Sequence, residues 1–230
     1  MIRPTALVTG ASRGIGRAIA LRLAADYDIV AAARSKGDLD TLTLEIDGSG
    51  GRCTPLVVDL ADGPAVARAL SDVRADVVVN NAGVGVMKPL LEMTADEWHR
   101  QVDVNFNALY HVTRAVLPGM VARRRGHVVI VGSIAGRSSF AGGTCYTGTK
   151  HAVMAFAESL LLEVRDQGVK VSVVSPGGVA TEFGGSDAGG QSWKLRPEDV
   201  AEAVAGVVAT GPNVLVHRLE IRALSKKPES

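Results

Sequence analysis

The amino-acid sequence predicts an α/β fold: a doubly wound, mostly parallel seven-stranded sheet with helices on both faces, in a single domain. Three observations predict it. Short runs rich in Val, Ile and Ala recur along the chain, as expected of strands buried on both faces. Longer stretches of helical periodicity separate these runs. A glycine-rich turn follows the first run and opens the first helical stretch, where folds of this class bind phosphates.

The first strand is expected at residues 6–9, where Ala-Leu-Val-Thr ends at Gly10, and the first helix at 14–25. A strand at 29–33 leads to a helix near 38–45, and a strand at 54–58 to a helix at 63–71. The fourth strand, 77–80, precedes the longest helical stretch, 95–121, which Thr94 and Glu97 open as a capping box. Strand 127–131, helix 146–165 and strand 170–174 follow. Pro197 stands where a first helical residue should, and Glu198 and Asp199 favour a helix N-terminus, so a helix is expected at 197–209 before the last strand, 219–223. Right-handed crossovers then put the helices on both faces.

At 230 residues one domain suffices, here 1–225, with 226–230 expected as a disordered tail. Aromatic residues are only 4% of the chain, so small aliphatic side chains must fill the sheet. A net charge of +1 gives no reason to expect nucleic acid or an anionic membrane as partner. Cys53 and Cys145 stand far apart without CxxC spacing, which argues against a disulfide framework and a zinc site; no metal is expected. No signal peptide is visible, and no apolar run approaches the roughly 20 residues of a membrane span. A cytoplasmic setting is therefore expected.

The turn reads TGASRGIG, residues 9–16. Gly10 permits the tight turn, Gly14 lets backbone approach a pyrophosphate, and Gly16 allows close helix–strand packing. The unpaired N–H groups of the following helix then face the phosphates. Further along come NNAG at 80–83, Asn105, Ser133, Tyr146 with Lys150, Pro176-Gly177 and Thr181. In this order and near these spacings, the set resembles the short-chain dehydrogenases/reductases of the NADP-preferring kind, over essentially the whole chain. The resemblance implies a Rossmann-like fold and a dinucleotide held by several segments. These are Gly10, Ser12, Arg13, Gly14, Ile15 and Gly16 of the turn, then Arg34, Asp59 and Leu60 after the second and third strands. Asn81, Ala82 and Gly83, then Tyr146 and Lys150, and finally Pro176, Gly177, Val179 and Thr181 complete the implied set.

Dinucleotide preference is read at the end of the second strand, where an acidic residue would bind the ribose 2′-OH. This chain has Ala33 there, followed by Arg34, with Arg13 in the glycine turn able to approach the same place. Two cations converging on a 2′-phosphate predict NADP(H) over NAD(H). Asp59 matches the family's adenine contact, although a strand-end Asp can equally cap the following helix.

Tyr146 and Lys150 lie one helical turn apart on one face. A lysine charge there is expected to lower the tyrosine pKa and make it a workable proton donor to a carbonyl oxygen. Ser133, ending a strand, can hydrogen-bond the same oxygen. The resemblance adds that Lys150 contacts the nicotinamide ribose and that Asn105 anchors a water relaying protons from Lys150. It implies an oxidoreductase acting on a small carbonyl or secondary-alcohol substrate.

Residues 182–196 are expected to form a compact substrate lid, with Phe183 and Trp193 as apolar contacts, facing a wall formed by 138–143. The run Arg123-Arg124-Arg125 admits a 3-oxoacyl carrier-protein reductase reading or simply a helix end, and Gln167 stands where a second basic residue would support the former. A non-catalytic NADP-sensing regulator is the other alternative, disfavoured by the intact Ser133, Tyr146 and Lys150. By resemblance a homo-oligomer is expected, a dimer or tetramer pairing helices 95–121 and 146–165.

Overall fold

A computed structural model describes residues 3–185 and 193–225; the expected tail and the middle of the expected lid, 186–192, lie outside the described residues. Strands β1 (Thr5–Thr9), β2 (Asp28–Ala33), β3 (Cys53–Val57), β4 (Val77–Asn80), β5 (Gly126–Val131), β6 (Val169–Pro176) and β7 (Arg218–Ile221) pair in one sheet. The order is β3-β2-β1-β4-β5-β6-β7 and every pairing is parallel. The helices are α1 (Gly14–Leu23), α2 (Lys36–Gly48), α3 (Gly63–Ala69), α4 (Ala95–Val102), α5 (Ala108–Ala122), α6 (Thr144–Val164) and α7 (Pro197–Val208).

Alternation along the strands builds two cores. Ala6, Val8, Val77, Val79 and Val129 face one way, onto Ile19 and Leu23 of α1, Leu39 and Ile46 of α2, and Val200 and Val204 of α7. Leu7, Val78, Val128 and Ile130 face the other way, onto Val66 of α3, Val112 and Val116 of α5, and Val153 and Leu160 of α6. Each fully buried Leu or Ile contributes about 1.5–3 kcal/mol. One buried polar pair interrupts the second half of the sheet: His127 Nε2 lies 2.8 Å from Ser172 Oγ, inside the β5–β6 pair. Burial, and then the charge of Lys170, depresses the imidazole pKa to about 4.

The expected helix 95–121 forms as a continuous helical run with a π turn inside it. A π-helical turn, Asp103–Asn107, separates α4 from α5, and the N–H of Ala108 donates five residues back to the carbonyl of Asp103. One inserted residue per turn is invisible to a 3.6-residue pattern, and such turns recur at functional sites. The capping box of Thr94 and Glu97 does form, as does the α7 start at Pro197. Asp62 caps α3 by accepting from the N–H of Ala65, so Asp59 is not that helix's cap.

Because β2 and β3 extend from β1 in one direction and β4 to β7 in the other, the connections part at the carboxyl ends of β1 and β4. A crevice opens there by construction.

Candidate active site

The glycine turn is fixed from below. Thr9 Oγ1 accepts from the N–H groups of Asn81 and Ala82 at 2.9 and 3.1 Å, and Asn81 Nδ2 donates to Thr9 O at 2.9 Å. Gly10 and Gly14 adopt φ of +65° and +56°, the left-handed region that costs other residues strain. A Cβ on Gly16 would lie 2.2 Å from Gly10 O, so only glycine lets α1 approach β1 this closely. Arg13 supplies no side-chain cap to α1, and no acidic residue stands in its first turn. Those N–H groups are suited to an anion, and the turn fits a dinucleotide diphosphate.

Above the turn lies a cleft of about 1160 Å³. It gathers Gly10, Ser12, Arg13, Gly14 and Ile15 of the turn, Arg34, Asp59 and Leu60 beyond β2 and β3, and Asn81, Ala82 and Gly83 beyond β4. Ser133, Tyr146 and Lys150 line it, as do Pro176, Gly177, Val179, Thr181 and Phe183. Gly16 packs beneath the turn instead, Trp193 is not among the lining residues, and Asn105 stands behind the cleft.

Around Tyr146 and Lys150 the side chains are closely packed, while Ser133 is half-buried and Phe183 exposed. Tyr146 is 9% exposed and Lys150 6%. Lys150 Nζ donates to Val131 O at 3.2 Å and sits 5.9 Å from the centre of the Tyr146 ring. Burial alone pulls the amine down to about 8. Burial pushes the Tyr146 phenol up, and a hydrogen bond with Ser133 acts in the opposite direction. Ser133 itself follows β5 in extended backbone, its Oγ accepting from the N–H of Ala135. The Phe183 ring lies against Tyr146, centroids 5.8 Å apart, and over Gly85, where a Cβ would fall 2.5 Å from it.

Asn105, in the π turn, is 4% exposed and clamps one residue from both sides. Its Oδ1 accepts from Val84 N–H at 2.8 Å, while its Nδ2 donates to Val84 O at 2.9 Å and Thr149 Oγ1 at 3.2 Å. A separate cavity of about 10 Å³ lies between Thr9, Asn80, Asn105, Val131 and Lys150.

The end of the cleft beyond β2 and β3 is built of exposed ion pairs. Arg13 Nη1 meets Glu182 Oε2 at 3.0 Å. Arg34 Nη1 stands 4.0 Å from Asp59 Oδ2, and Arg100 Nη1 of α4 donates to that same oxygen at 3.3 Å. Asp38 also lines this end.

With fold and site in place, comparison with known proteins is decisive. Residues 4–190 match the family model of short chain dehydrogenases. The chain belongs to the short-chain dehydrogenase family. An NADP-dependent 3-hydroxy acid dehydrogenase of Escherichia coli K12, YdfG, is 33% identical to it over 238 residues, covering 96% of this chain and 95% of the relative. An alcohol dehydrogenase from the archaeon Thermococcus sibiricus, complexed with 5-hydroxy-NADP, superposes with a TM-score of 0.92 at 31% identity, covering 99% of each chain. A 3-oxoacyl-[acyl-carrier protein] reductase from Brucella melitensis with bound NAD superposes at 0.85 and 32%, covering 96% of this chain and 90% of the other.

The fold adds to three of these expectations. Desolvation raises the Tyr146 phenol and weakens the Lys150 ammonium, so burial opposes the lowering expected from the lysine charge. Arg13 and Arg34 are not bare cations, since each faces a carboxylate from a distant segment. The arginine run is engaged with backbone, Arg123 donating to Ala75 O and Arg124 to Asp166 O. Arg100 and Glu182 escaped the sequence reading because their partners lie 41 and 169 residues away. Among the described residues no group of His, Cys, Asp and Glu could hold a metal ion, and no helix is long and apolar enough to cross a membrane.

Proposed function

We propose that this dehydrogenase is an NADP(H)-dependent oxidoreductase that acts on a small carbonyl or secondary-alcohol substrate, with Tyr146 as its general acid and base. The observation that carries the reading is the Ser133–Tyr146–Lys150 group, with Tyr146 and Lys150 buried, lining a cleft large enough for a dinucleotide. When bound, the nicotinamide supplies or accepts the hydride.

The residues divide the remaining work. Tyr146, raised by burial, keeps its proton at neutral pH and is in the form needed to protonate a carbonyl oxygen. Ser133, hydrogen-bonded to that phenol, steadies the substrate oxygen and favours the phenolate left after transfer. Lys150, with a pKa near 8, is largely protonated at neutral pH and places a positive charge beside the developing phenolate. The 10 Å³ cavity joining Lys150 to Asn105 is about the volume one water requires, which supports a proton path behind the lysine. Phe183 packs against the Tyr146 ring at the edge of the cleft.

NADP(H) preference rests on Arg34 and Arg13 and agrees with the names of two of the relatives above. The substrate panel follows from those names too: 3-oxo acids, simple ketones and a 3-oxoacyl thioester. Purified protein with NADPH and this panel, followed at the nicotinamide absorbance, tests the reading. Oxidation of NADPH with at least one member is expected; tight NADPH binding without turnover would instead identify a cofactor sensor. A homo-oligomer, dimer or tetramer, is part of the proposal, supported by Tyr110 of α5 and Leu162 of α6, which are 53% and 64% exposed. Sedimentation tests it.

A further inference from the structure

The two arginines that favour a 2′-phosphate are each answered by a carboxylate, so they do not by themselves make the adenosine end cationic. Glu182 holds Arg13 at 3.0 Å. Asp59 stands between Arg34 and Arg100, and its Oδ2 is claimed unequally: Arg100 Nη1 donates a hydrogen bond at 3.3 Å, whereas Arg34 Nη1 is 4.0 Å away. The other oxygen, Oδ1, accepts from the N–H of Ala61 at 3.1 Å, which holds the carboxylate in one orientation. Among the described residues Arg34 makes no hydrogen bond, and its side chain is 63% exposed against 35% for Arg100. All three residues line the cleft.

We propose that Arg100 is a positioning residue for dinucleotide specificity: by taking the charge of Asp59 it leaves the guanidinium of Arg34 to a 2′-phosphate. A carboxylate beside Arg34 would otherwise both neutralise it and repel a group of the same sign. The arrangement uses three separate elements: Arg34 follows β2, Asp59 follows β3, and Arg100 is on α4. It therefore exists only in the folded chain. The inference rests on the NADP(H) reading above.

The readout is the ratio of the NADH to the NADPH dissociation constant, measured by titration calorimetry, with 2′,5′-ADP and 5′-AMP as nicotinamide-free probes of the same end. Arg100→Gln is expected to lower this ratio about fivefold, near the upper range for partly exposed charge pairs. NADH and 5′-AMP should bind as before, which also reports that the variant is folded. Arg100→Lys should keep most of the preference. Adding Asp59→Asn to Arg100→Gln should restore the ratio, because the carboxylate that competes for Arg34 is gone. An unchanged ratio in Arg100→Gln overturns the inference. So does a reduced ratio that Asp59→Asn fails to restore, since Arg100 would then meet the phosphate itself. A ratio near one in the unmutated protein sinks the NADP(H) reading and this inference with it, whereas a preserved preference in Arg100→Gln sinks the inference alone.

Discussion

The two ends of the cleft handle charge in opposite ways. At the end proposed for the adenosine three arginines and three carboxylates line the opening, and Arg13 and Glu182 keep side-chain exposures of 74% and 71%. At the end proposed for the chemistry Tyr146 and Lys150 are almost wholly enclosed, and Lys150 has a backbone carbonyl rather than an acid as its hydrogen-bond partner. Water screens the first set, so each pair is worth little and can be exchanged for a ligand's charge. Burial governs the second, so the pKa values themselves are set by desolvation before any ligand arrives. On the proposed function, recognition of charge sits where rearrangement is cheap, and proton chemistry where the surroundings are fixed.

Four changes test this contrast. Largest is Tyr146→Phe, which removes the proton donor and leaves the ring: turnover should fall about a thousandfold or more while NADPH affinity changes little. Steady-state kinetics beside a cofactor titration checks both halves, and retained turnover would remove Tyr146 from the chemistry. Next comes His127, the buried titrating group outside the site. Its folded pKa of about 4 lies below the ordinary value of 6.5, so the unfolded chain takes the proton first as pH falls. The stability it contributes is full above pH 6.5, declines as pH falls from there, and is lost below about 4. The total is about 3 kcal/mol, and His127→Gln should flatten that part of a urea-denaturation series against pH.

Asn105→Ala follows, at about 2 kcal/mol of stability by thermal or urea unfolding, because it leaves the N–H and C=O of Val84 and the Thr149 hydroxyl without their buried partner. Activity should fall with it. The smallest effect belongs to the exposed end: Arg34→Asp should cost NADPH about tenfold in affinity and erase the difference from NADH. If it instead impaired turnover with both cofactors as strongly as Tyr146→Phe, the separation of the two ends would be wrong.

Much of this was legible in the sequence because it is local. The glycines of residues 9–16 must be glycines for reasons of backbone angle and close approach, and Gly10, Gly14 and Gly16 each meet one of those reasons. Tyr146 and Lys150 are one helical turn apart on whatever helix carries them. Thr94 with Glu97, and Pro197 with Asp199, write their own helix starts. The π turn did not show, since its signal is an inserted residue that only the hydrogen bond from Ala108 to Asp103 reveals.

By itself, then, the sequence determined the alternation of strands and helices, the glycine turn between β1 and α1 and the side chains proposed for the chemistry, all consequences of periodicity and short-range geometry. Tertiary structure alone decided what those groups are chemically. Enclosure raises Tyr146 and lowers Lys150, an effect their spacing could not show, because desolvation depends on everything packed around a group. Which acid answers which arginine was decided the same way: Glu182 meets Arg13 from 169 residues away, and Arg100 meets Asp59 across 41. A charge pair depends on distance in space, and only the folded sheet sets that distance.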